Sequence, residues 1–157
     1  MMKWIAIAAL SSVAGMASAE AVAPADVQFD DYGAVEVSLS GTPGDAANGA
    51  AIVGDKKQGN CVACHQVGAL ADIPFQGEIG PALNGAGDRW TEAELRGIVS
   101  NSKKTFEGSM MPSYYKTTGY IRPGDAFTGK AASEPLPPLM DAQMIEDVVA
   151  FLATLKE

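Results

Sequence analysis

Both cysteines and the single histidine of this 157-residue chain fall inside "GNCVACHQ", as Cys61, Cys64 and His65. Random placement would give that C-x-x-C-H order in about one arrangement in ten thousand, so the cluster implies a shared chemistry. Four chemistries use such residues. A structural zinc ion needs about four ligands, commonly two such pairs, and there is no second pair. A thioredoxin-type redox pair belongs in a βαβ setting, whereas the flanks here read as helical. A structural disulfide would leave the adjacent histidine without a purpose. Covalent haem uses all three residues: each thiol adds to a porphyrin vinyl group, and the neighbouring imidazole lies under the iron. The spacing therefore predicts one haem c, held through Cys61 and Cys64, with His65 as its proximal ligand.

A second axial ligand has few candidates. No other histidine exists, and methionine is the usual remaining partner, one that raises the reduction potential. Beyond the N-terminal segment there are Met110, Met111, Met140 and Met144. The last two sit at helical spacing in the final segment, where methionine commonly packs. Met110 and Met111 lie in the loop "FEGSMMPSYYK". Pro112 fixes its own φ and confines the residue before it to extended conformations, which favours Met111 as the rigidly aimed ligand. Met110 is the alternative, and an open or lysine-ligated iron the remaining one. No His, Cys or paired-carboxylate constellation is left for acid–base or nucleophilic work, so no catalytic residue is expected. Asp30–Asp31 and Glu146–Asp147 are adjacent pairs whose side chains point apart, and both read as solvated surface.

These residues need a frame. The start, "MMKWIAIAALSSVAGMASAE", has Lys3, an apolar run, and small residues at Ala17 and Ala19. It reads as a secretory signal over residues 1–19, cut before Glu20, and is too short for a membrane span. Export to the periplasm suits haem attachment, which follows secretion. The remainder, about 138 residues, is the size of one small domain. Residues 20–44 lack a helical period. Within them Val35, Val37 and Leu39 alternate, which predicts a short strand or an extended arm lying on the domain or on another protein.

Asp45 is a candidate N-cap for a helix reaching about Lys57, with Ala46, Gly49, Ala50 and Val53 on one face and Lys56 and Lys57 at its negative end. After the haem motif comes a Gly- and Pro-punctuated loop, "ADIPFQGEIGPALNGAGDRW". "WTEAELRGIVSN" then opens with a capping box, Thr91 to Glu94, and a staple from Trp90 to Leu95. The last segment has Asp141 as N-cap, and Ile145, Val148, Val149 and Leu152 line one face. Three helices with long connections make an all-α domain whose own apolar core is small. A large hydrophobic cofactor would complete it.

Charge is uneven. Residues 20–53 hold six acids and no base, 54–117 seven of each, and 118–157 six acids against three bases. Such a surface argues against nucleic acid as a partner. It serves solubility, or steers a basic protein partner.

Taken together, a helix running into C-x-x-C-H, the "GPALNG" loop, a middle helix, a Met-Pro loop and an amphipathic last helix resemble class I cytochrome c. The resemblance covers about residues 45–157. It implies that fold, three main helices around a covalent haem, with an N-terminal extension and a long loop before the last helix. It further implies that the Pro81 carbonyl accepts from Nδ1–H of His65, and that Gly49 meets Phe151 where the first and last helices cross. More narrowly, "GNCVACH", "GEIGPALNGAGDRW", "MMPSYYK" and "IEDVVAFLATLK" look like the SoxX family, the single-haem subunits of sulfur-oxidising SoxAX cytochromes. The long segment "TTGYIRPGDAFTGKAASEPLPPL" is part of that likeness, and loops of this length are often functional or partner-bound.

That likeness implies a periplasmic heterodimer with a SoxA-like haem subunit. The pair joins thiosulfate oxidatively to a carrier-protein cysteine, an L-cysteine S-thiosulfotransferase type of reaction. This chain would be its non-catalytic electron acceptor, delivering electrons to a small soluble acceptor protein. Two competing readings are a free-standing monohaem electron shuttle and an enzyme or gas sensor with an open iron.

Overall fold

Two helices crossing at a glycine organise the chain, which we describe from a computed structural model for residues 20–124, 129–132 and 135–157. The expected signal segment, residues 1–19, lies outside the described residues. The Asp45 side chain accepts from the N–H groups of Ala47 and Asn48 and so opens α1, Ala46–Gly54. α2 is a short helix, Ala86–Arg89. α3 spans Glu92–Asn101 behind the expected capping box of Thr91 and Glu94. α4 spans Ala142–Thr154, and the Asp141 side chain caps it by accepting from Met144 N–H. α2 lies inside the segment read from sequence as loop throughout.

α1 crosses α4 at Gly49. A Cβ built there would stand 1.9 Å from the Asp147 carbonyl oxygen and 2.9 Å from Phe151 Cβ. Only glycine permits this approach, which is the crossing implied by the resemblance. Around it Val53, Ile145, Val148, Val149 and Leu152 form the core with Leu95 and Val99 of α3. Among the described residues no helix is long and apolar enough to cross a membrane.

The sequence reading of α1 overshoots. The helix stops at Gly54, and the Asp55 carboxylate turns the chain by accepting from Lys57 N–H and Gln58 Nε2. An Asx turn of this kind competes with helical continuation. The Lys57 N–H bond, seconded by Gln58, holds the Asp55 carboxyl below its ordinary pKa. Lys56 and Lys57 are therefore exposed beyond the helix rather than in its last turn.

Residues 20–44 lie on the domain without forming a strand. Val35 and Leu39 are buried while Val37 is 66 % exposed, although all three would share a face in a regular strand. Two of the arm's N–H groups in this stretch bond to helices instead: Val35 N–H to Ala93 O at 2.9 Å, and Leu39 N–H to the Glu146 carboxylate at 2.7 Å.

That contact corrects the reading of Glu146 and Asp147 as solvated surface: they are 5 % and 3 % exposed. Glu146 pairs with buried Arg96 at 2.9 Å, and Arg96 also donates to Val35 O at 2.8 Å. Asp147 accepts from Asp45 N–H, Asn48 Nδ2 and Gln143 Nε2. Burial alone would raise the Asp147 carboxyl pKa, but these three bonds outweigh it and hold the group below its ordinary value. Charge on an otherwise apolar helix face is tolerated because each carboxylate finds several donors.

Candidate haem-binding site

The cysteine–histidine motif begins at a left-handed residue, Asn60 with φ 50°, followed by a 3-10 turn over Cys61–Ala63. Asparagine tolerates that region better than most residues. His65 N–H returns to Cys61 O at 2.9 Å, closing the turn so that Cys61, Cys64 and His65 line one cavity. The two cysteines form no disulfide, and burial pushes the Cys61 thiol, before any attachment, up from 9.0 to about 11.

The following loop runs alongside the motif. Gly77 N–H bonds Val62 O at 2.8 Å, Gly80 N–H bonds Cys64 O at 2.8 Å, and Leu83 N–H bonds Gln66 O at 2.9 Å. This lacing brings the Pro81 carbonyl oxygen 2.7 Å from His65 Nδ1. With Nδ1–H as donor, Nε2 keeps its lone pair for a metal, and the ring's orientation is fixed. Gly80 backs the imidazole so closely that a Cβ there would stand 2.2 Å from His65 Cε1.

The cavity measures about 440 Å³ and is lined by Cys61, Cys64, His65 and Pro81 together with Met111 and Tyr114 from the loop after α3. A smaller space of about 100 Å³ continues inward, where His65 and Met111 meet Trp90, Phe106 and Leu152. Trp90 and Phe106 contact edge to face with centroids 5.9 Å apart.

Of the two loop methionines, Met111 is half-buried, packs against the core and lines both spaces, whereas Met110 is 80 % exposed and lines the outer one alone. Met140 is fully buried in the core, and Met144 packs against it. Asp30 and Asp31 are on the surface, where they were expected.

Sequence reasoning assigned no role to Tyr114, which is buried against the cavity and donates to Gly59 O at 2.8 Å. Burial raises its phenol pKa well above the ordinary value. Tyr115 similarly reaches the arm, donating to Val22 O at 2.6 Å. The paired tyrosines one residue beyond Met-Pro were the available signal. Gly80, Ser102 and Lys103 had none beyond their neighbourhood.

The residues present fit a haem. The cavity falls within the range of cofactor sites, about 300–1,000 Å³. Its donor set is two thiols, an imidazole already oriented through its other nitrogen, and a thioether in reach of the same space.

The cytochrome c family profile matches residues 46–156, and the chain belongs to that family. It carries one haem c, attached through the C-x-x-C pair Cys61 and Cys64. Among solved structures it is similar to a chain in the crystal structure of SoxXA from P. pantotrophus. The two share 60 % identity over 87 % of this chain and 99 % of that one, with a TM-score of 0.84. This likeness agrees with the SoxX-type motifs in the sequence. A search of curated proteins returned no match.

Proposed function

We propose that this chain is the electron-accepting, single-haem subunit of a periplasmic SoxAX-type complex. The observation that carries the proposal is the 60 % identity to a chain of SoxXA over nearly that chain's whole length. The associated organisation is a signal at 1–19, an arm at 20–44 and a cytochrome domain at 45–157. When bound, the haem supplies a reversible one-electron change at its iron. The chain's own residues hold and tune that group. Cys61 and Cys64 would tether it, and Pro81 holds the His65 ring through Nδ1, which would leave Nε2 free to ligate the metal. Met111, which lines the same cavity, would supply it a thioether sulfur. With His65 and Met111 both as ligands, no position would be left for substrate, which suits electron transfer rather than catalysis.

In this reading a SoxA-like haem partner joins thiosulfate to a carrier-protein cysteine. One sulfur–sulfur bond forms, the thiol proton leaves, and two electrons are released. The chain takes them one at a time and passes them to a small soluble acceptor protein. The test is native purification from the periplasm with haem staining. Co-elution with a second haem-bearing polypeptide, and reduction of this chain's haem when thiosulfate and the carrier are added, support the proposal. A strictly monomeric native species would instead mark a free-standing shuttle.

A further inference from the structure

The backbone of Met111 is held on both sides by one polar knot. Its N–H donates to Ser109 Oγ at 3.3 Å, and its carbonyl accepts from Lys103 Nζ at 2.6 Å and from Ser102 Oγ at 3.3 Å. The Ser102 and Ser109 hydroxyls are themselves 3.1 Å apart, and Ser102 is 1 % exposed. Ser102 and Lys103 belong to the 3-10 turn Ser102–Lys104 that closes α3.

The chain beyond Met111 is laced to the same helix end. Ser113 Oγ donates to Asn101 Oδ1 at 2.8 Å, and the N–H groups of Tyr114 and Tyr115 bond Val99 O and Ser100 O at 3.4 and 3.1 Å. The last carbonyls of a helix otherwise lack intrahelical partners. The shortest bond in this knot comes from a cation placed at the negative end of α3.

We propose that Lys103 is a positioning residue for the iron's sulfur ligand. Its ammonium pins the Met111 carbonyl, so the thioether is presented to the metal with its backbone already ordered. This inference rests on the reading of Met111 as the axial ligand. A pre-ordered ligand loses less freedom on coordination and competes better against ligands from solution. Lys103 itself is exposed, so its removal leaves the core intact. Lys104, next in sequence, provides a control of equal charge: its Nζ lies 5.7 Å from the Phe29 ring centroid instead.

The experiment is imidazole titration of the haem-loaded ferric protein, read as loss of the far-red sulfur-to-iron charge-transfer band. Lys103→Met should bind imidazole about three- to tenfold more tightly than the native protein, the span open to an exposed charged hydrogen bond. Lys103→Arg should return most of that change, and Lys104→Met should titrate like the native protein. Native-like affinity in Lys103→Met, or an equal shift in Lys104→Met, would overturn the proposal. Met111→Ala separates the two layers. If it keeps the band, the ligand reading itself fails; if it loses the band while Lys103→Met titrates as native, only the lysine's role falls.

Discussion

The histidine side of the cavity and its methionine side are built by different means. On the histidine side everything is local: Cys61, Cys64, His65, Gly80 and Pro81 lie within one stretch, stitched by backbone bonds between residues 62–66 and 77–83. On the methionine side Met111 depends on the end of α3, and the tyrosines that follow it reach Gly59 and Val22. A side built from one continuous stretch is specified by spacing. A side assembled from distant elements is specified by how those elements pack, and it is the side that substitution elsewhere can loosen.

The largest effect should come from the support of α3. Arg96→Met leaves Glu146 buried without its cation, a loss of about 3–5 kcal/mol for breaking one member of such a pair. Urea unfolding measures it. Adding Glu146→Leu should recover most of the loss, because the uncompensated charge is then removed. A single variant within about 1 kcal/mol of native stability would mean that Arg96 contributes little to holding α3 against α4 and the arm.

A disturbance of the local side should be smaller and different in kind. Gly80→Ala places a methyl group against the His65 ring, and overpacking of this sort costs about 1–3 kcal/mol. The ring must also turn off the Pro81 carbonyl, so the reduction potential should shift while the far-red band survives. Loss of the band in this variant would erase the distinction between the two sides.

Much of this architecture was legible because it is local. The cysteine–histidine spacing, the Thr91–Glu94 box, the Asp45 and Asp141 caps and the Pro112 restriction on Met111 all act over four residues or fewer. Misreadings arose where a distant partner decides. Glu146 and Asp147 look like surface on their own helix, yet Arg96 and the start of α1 bury them. Val37 looks like a partner of Val35 and Leu39, yet the arm bonds to helices and turns it outward. The overrun of α1 into Lys56 and Lys57 is the exception, since the Asp55 side chain that ends the helix is local to it.

The smallest predicted effect concerns pH. The folded Asp147 carboxyl has a pKa below its ordinary value. The stability it contributes is thus fully present above that ordinary value and is lost as pH falls through the folded pKa. Asp147→Asn should cost about 1–2 kcal/mol at neutral pH, and the gap to the native protein should narrow on acidification. Unfolding free energies at pH 7, 5 and 3 measure the trend; a gap that widens toward acid has the wrong sign.

The central claim is that the iron is held between His65 and Met111, with no seat for substrate. The ferric far-red absorption of the haem-loaded protein tests it most directly. The band should be present in the native protein, persist in Met110→Ala and vanish in Met111→Ala. Its absence from the native protein, or its loss in Met110→Ala but not in Met111→Ala, would contradict the account.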